Sequence, residues 1–264
     1  MSRKVLTLTV AIAAVALSAC NPGQGGAAGP GGPAARPRDP VDIFITDPAR
    51  AESYAALQRL FPTEYVQFRT ELDAMAKAGA TPEQLRDKNS ALWRRLMETN
   101  VDHTTKAPTP ELVALAQKQR DLMLALQRDN VDACAKLARN KFETSAGLTP
   151  AAETAMSAAS AAHLAAMKAG MDRGVTRSDD GGEAAAMAFF EAIAAQKARE
   201  AALNAVFADE ASNPAPADVC EGGVAISNAL ASMQPEQLAT MQAVILTAVL
   251  KSKQTPAAAA AAAQ

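Results

Sequence analysis

From Asp42 to Ser252 the apolar residues recur at helical spacing, and proline marks the starts of the segments. Asp47-Pro48 opens a helix that runs to about Phe61, and Pro62-Thr63 restarts the chain into a second one that stops at Gly79. Thr81-Pro82-Glu83-Gln84 is a capping box, with Thr81 as the cap and Gln84 three residues on. Thr109-Pro110, Thr149-Pro150 and Gln234-Pro235 repeat the device, because proline at the first helical position gives up an N–H that had no partner. Each start leads into an apolar stripe. After Pro82 come Leu85, Leu92, Trp93 and Leu96; after Pro110, Leu112, Leu115, Leu122, Met123 and Leu126; after Pro235, Leu238, Met241, Ile245 and Val249. Residues 183–208 read as one helix with Phe189, Phe190, Ile193, Val206 and Phe207 as its larger apolar residues. No run alternates branched and aromatic residues as a strand does. The expected fold is all-α: an irregular or up-and-down bundle of about seven helices between residues 41 and 254, with short joints that favour antiparallel neighbours. Asn100–Pro108, Gly174–Gly182 and Ser212–Gly223 are expected as loops.

The two ends break this pattern. Residues 20–40 hold the run NPGQGGAAGPGGPAARPRDP behind Cys20, which cannot bury enough apolar surface to offset its ordering entropy and is expected to be a tether. A flexible tether of about 20 residues spans roughly 25 Å. Residues 255–264 hold seven alanines with no anchoring side chain and are expected to be a frayed tail. Before the tether, Arg3 and Lys4 precede an apolar run from Val5 to Leu17, and then Ser18, Ala19 and Cys20. A run of about 13 residues is too short to span a bilayer and has the layout of a secretory signal.

Leu17-Ser18-Ala19-Cys20 resembles the lipobox of bacterial lipoproteins. The resemblance implies cleavage after residue 19 and a lipid on Cys20. Asn21 follows where an aspartate would favour retention at the inner membrane, so the implied address is the outer membrane, on the periplasmic face by default. Several acyl chains on one cysteine would anchor firmly, at about 0.8 kcal/mol per buried methylene.

Composition narrows the function. The net charge of −2 becomes −4 once Arg3 and Lys4 leave with residues 1–19, which argues against nucleic acid as a partner. Aromatic residues are only 4% of the chain and alanine is abundant, so closely packed helices with small residues at their contacts are expected. Besides Cys20 the chain has Cys134 and Cys220. In an oxidising compartment an even pair reads as one disulfide, the alternative being two buried free thiols.

Chemistry-bearing residues are few. Asp102-His103 falls in an expected loop and could be half of a general-base arrangement. His163 shares a face with Met156 and Met167 and reads as a partly buried spacer. Asp179-Asp180-Gly181-Gly182-Glu183 lacks the ligand spacing of a calcium loop and is explained by the start of a helix. Cys134 and Cys220 lack the close spacing of a thiol exchanger. The chain has no Gly-x-Ser-x-Gly elbow, phosphate loop or His-Glu-x-x-His. No catalytic residue, metal or cofactor is expected.

Ala80-Thr81-Pro82-Glu83-Gln84, Leu148-Thr149-Pro150 and Met233-Gln234-Pro235-Glu236-Gln237 resemble variants of the LTxxQ motif of small helical periplasmic chaperones of the Spy type. That resemblance implies a stress-linked role in cradling unfolded clients. No copy has the complete Leu-Thr-x-x-Gln, and this chain is longer and acidic. The favoured expectation is a non-catalytic, lipid-anchored helical module with a structural or protein-binding role. It would touch the membrane through its lipid and an envelope protein through its fold, with the chaperone and then an enzyme as alternatives.

Overall fold

A computed structural model describes residue 41 and residues 47–139, 148–177, 180–208 and 212–253. Cys20, the tether at 20–40 and the tail at 255–264 lie outside the described residues, as does residue 254, at the expected end of the helical domain. Among the described residues there are ten helices and no strand. They are α1 (Ala51–Leu60), α2 (Pro62–Lys77), α3 (Pro82–Thr105), α4 (Thr109–Asp129), α5 (Val131–Ala138), α6 (Pro150–Arg173), α7 (Asp180–Ala195), α8 (Glu200–Phe207), α9 (Pro216–Ser232) and α10 (Pro235–Lys253). The all-α class is as expected, with more and shorter helices than the expected seven.

Several starts and stops follow the sequence signals. Thr81 closes a full capping box on α3: the Gln84 N–H donates to Thr81 Oγ1 at 3.2 Å, and the Thr81 N–H donates to Gln84 Oε1 at 2.8 Å. Thr149 Oγ1 accepts the Ala152 N–H at 3.2 Å and starts α6. Gly79 sits at φ +83°, left-handed backbone in which a Cβ would be strained, and it ends the turn after α2.

Other elements differ from the sequence expectation. The Asn100–Pro108 region is not a loop, because α3 continues to Thr105. Val101 and Thr104 point into the core while their polar neighbours face outward, so a polar run concealed a helix with two inward positions. Thr109 is not a cap. Pro108 takes that position, Thr109 is the first helical residue, and its hydroxyl donates to Glu236 Oε2 at 2.8 Å. Residues 183–208 form two helices. The break at 196–199 places Lys197 at φ +53°, and the Arg199 guanidinium pins the turn to Asp218 and Glu221 of α9. The expected loop at 212–223 is helical from Pro216 onward. Its glycine pair serves close packing rather than a turn: a Cβ at Gly222 would stand 2.2 Å from the Ala202 carbonyl oxygen on α8.

α6 packs against α1, α3 and α4, and α9 packs against α4, α5, α7 and α8. α4 therefore joins the two halves, and α10 lies across α3, α4 and α7. In the N-terminal half Tyr54, Phe68 and Trp93 meet edge-on at centroid distances of 5.7–6.1 Å. α6 presents Ala152, Ala159 and Ala166, all buried, so its neighbours approach closely. At Gly170 the approach to α3 is closest, and a Cβ there would lie 1.8 Å from the His103 carbonyl oxygen. Small residues at the helix contacts, expected from the alanine content, are what the packing uses.

Candidate functional site

A groove of about 460 Å³ lies at one edge of α10. The C-terminal end of α3 contributes Thr105 and Lys106. The extended segment after α6 contributes Val175, Thr176 and Arg177, the start of α7 contributes Gly182, and α10 contributes Thr240, Ala243, Val244, Thr247 and Ala248. Arg177 ties these pieces together. Its Nη1 and Nη2 donate to the carbonyl oxygens of Thr105 and Ala107 at 3.1 and 2.6 Å, satisfying acceptors that the end of α3 leaves open. The Val175 N–H donates to the Lys106 carbonyl at 2.8 Å and straps the segment to the same helix end. Burial lowers the Arg177 pKa from its ordinary value, with Glu236 pulling weakly the other way. Two cations, four hydroxyls and an apolar wall line the groove, and its volume is in the range of ligand-sized pockets. Thr105 and Thr247 donate their hydroxyl hydrogens back to the Asp102 and Ala243 carbonyls, so Lys106 and the hydroxyls of Thr176 and Thr240 are the groups placed to meet hydrogen-bond acceptors of a bound molecule.

Two buried polar clusters have no such access. Arg50 of the turn before α1 donates to Glu153 of α6 at 3.0 Å, and Ser157 Oγ accepts the Ser53 N–H at 2.9 Å. Tyr54 donates to Asn89 at 2.6 Å beside them. Burial raises the pKa of Glu153, while the Arg50 charge and hydrogen bond oppose the shift. With Trp93 and Met156 these residues enclose a cavity of about 20 Å³, room for one water. The second cluster is His163 with Thr104, Nε2 to Oγ1 at 3.2 Å. A base beside a hydroxyl has the makings of an activated nucleophile. Here both residues are fully buried, and His163 Nδ1 has no partner to orient it, so the pair has neither substrate access nor a third member. A third buried contact joins α10 to α4, with Gln242 Nε2 donating to Gln119 Oε1 at 3.0 Å.

Of the residues singled out in the sequence, Cys134 of α5 and Cys220 of α9 come together. They are buried at disulfide distance, with Cα atoms 5.2 Å apart across a separation of 86 residues. Asp102 and His103 stand in the last turns of α3, with His103 Nε2 4.0 Å from Asp102 Oδ1. His163 is fully rather than partly buried. Asp179 lies outside the described residues, while Asp180 begins α7. The side chain of Val249 is outside them as well. No cluster of three or more metal-ligating side chains occurs among the described residues. The groove escaped the sequence reading because its cations and threonines come from three separated segments with no motif. No family model, curated protein or solved structure matches the chain.

Proposed function

We propose that the chain is a lipid-anchored helical protein of a bacterial outer membrane, held through Cys20 with its folded part facing the periplasm and serving a structural or protein-binding role. The observation that carries this reading is Leu17-Ser18-Ala19-Cys20 behind a short basic start and an apolar run. Residues 20–40 supply a spacer long enough to hold the folded part clear of the headgroups. Cys134 and Cys220 at disulfide distance suit an oxidising compartment. Among the described residues no helix is long and apolar enough to cross a membrane. The groove along α10 gives the folded part a place to hold a ligand or a peptide segment without covalent chemistry. Thr81 and Gln84 both use their side chains in the capping box that starts α3.

The test is metabolic labelling with a fatty-acid probe in a bacterial host, followed by fractionation of the envelope. Wild type should label and sediment with the outer membrane. Cys20→Ala should lose the label and remain uncut by the lipoprotein peptidase. Equal labelling of both chains would overturn the reading.

A further inference from the structure

α7 has apolar residues on every side. Its inner face sets Ala185 and Phe189 into a buried cluster with residues of α9 and α10. Its outer face carries Glu183, Ala184, Met187, Phe190, Glu191, Ala194 and Ala195, all exposed, at the three- and four-residue spacing of one helical stripe. Met187 is 61% exposed and Phe190 44%. A helix apolar all round is ordinarily covered all round. The chain has only seven phenylalanines, one tryptophan and two tyrosines, so a ring left in water is not surplus from an aromatic-rich core.

The charges at its ends indicate what covers it. Glu183 precedes Phe190 by seven residues and Lys197 follows it by seven. Both are exposed, and neither has an ion-pair partner among the described residues. Glu183, about two turns before Phe190, lies near its azimuth and about 10 Å from it along the axis; Lys197 stands at φ +53° in the turn just past the end of α7, beside the end of the stripe that Ala194 and Ala195 form. The final turn continues as far as the Lys197 N–H, which donates to the Ala194 carbonyl. A two-fold axis at Phe190, perpendicular to the helix, therefore brings the Lys197 end of one copy to the Glu183 end of the other, twice. We infer that the outer face of α7 is the contact of a symmetric dimer of this chain, its two α7 helices antiparallel. Phe190 meets its own counterpart at the centre. Met187 and Ala194 fill the flanking positions, and the two Glu183–Lys197 pairs close the rim. An isologous contact demands a self-complementary patch, and this stripe is self-complementary in both apolarity and charge. Glu191 opposes the contact, because the two-fold brings its two copies to the same edge. A lipid surface fits less well: anionic headgroups attract flanking cations, and this stripe offers Glu183 and Glu191 against the single Lys197.

Sedimentation equilibrium tests this on residues 20–264 carrying Cys20→Ser, with thermal melts to show that each variant is folded. The expected result is a monomer–dimer equilibrium that Phe190→Glu weakens at least about tenfold. Met187→Glu, at the more exposed position, reads the same contact should Phe190→Glu fail to fold. Glu183→Lys and Lys197→Glu should each weaken the dimer a few-fold, the double exchange should restore it, and Glu191→Gln should strengthen it. A chain that is monomeric from micromolar to millimolar concentration would overturn the inference. So would a dimer indifferent to both Phe190→Glu and Met187→Glu. A monomer whose binding to anionic vesicles is lost with Phe190→Glu would assign the face to the membrane instead.

Discussion

The imidazole of His163 makes the stability of this protein depend on mildly acidic pH. His163 is buried in the middle of α6, its Nε2 meets only the Thr104 hydroxyl, and its Nδ1 has no partner. Desolvation alone lowers its pKa from 6.5 to about 4. The folded protein therefore holds a neutral imidazole over a range where the unfolded chain already binds a proton. A depressed folded-state pKa on a histidine means that its contribution is fully present above about pH 6.5 and is lost as the pH falls toward 4. Linkage between those two values gives a loss of about 2 kcal/mol between pH 7.5 and pH 5, and about 3 kcal/mol by pH 4. Against a usual total of about 5–15 kcal/mol this is a large share. Urea unfolding at pH 7.5, 6 and 5 measures it on wild type and on His163→Gln, whose amide can still meet the Thr104 hydroxyl. Carboxylates titrate alike in both, so the difference between their pH slopes isolates the imidazole. Wild type should lose about 2 kcal/mol more than the variant between pH 7.5 and 5. NMR titration of the ring gives a second reading that does not depend on the variant folding. Parallel slopes, or a His163 ring that titrates near 6.5 in the folded protein, would refute the reasoning.

Reducing Cys134 and Cys220 should lower the urea midpoint. Closing 86 residues contributes at most about 4–5 kcal/mol in the chain-entropy treatment, and mass mapping without reductant should recover one cross-linked peptide pair. Thr81→Ala should cost about 1 kcal/mol and Thr149→Ala a similar amount, whereas Thr109→Ala should cost less, because that hydroxyl holds Glu236 and caps nothing; denaturant melts of the three variants check the order. Gly170→Ala should cost about 2–3 kcal/mol by forcing α6 away from α3, while Gly79→Ala, in open space at φ +83°, should cost about 1 kcal/mol through backbone strain alone; equal losses in thermal melts would contradict that division.

The sequence alone determined whatever depends on neighbours a few residues apart. Thr81 with Gln84, Thr149 before Pro150, Pro62 and Gly79 each act through the backbone of their own turn, so their roles could be read without a fold. The apolar stripes of α3 and α4 were legible for the same reason: periodicity states which side of a helix is buried. Which partner each stripe meets is a long-range matter, and only the tertiary structure decided it. The glycines at 222 and 223 read as part of a loop because composition cannot distinguish a residue that frees the backbone from one that makes room for another helix. His163 read as a partial spacer because its burial comes from the packing around α6, including Thr104, which is 59 residues away. Thr109 read as a cap because its true partner, Glu236, lies 127 residues further on. Cys134 and Cys220 could be paired by counting, but their 5.2 Å Cα separation exists only once α5 is packed on α9. The groove belongs wholly to this second kind. Lys106, Arg177 and the α10 threonines face one space because Arg177 caps the end of α3 and α10 lies across that helix, and neither fact is local in sequence.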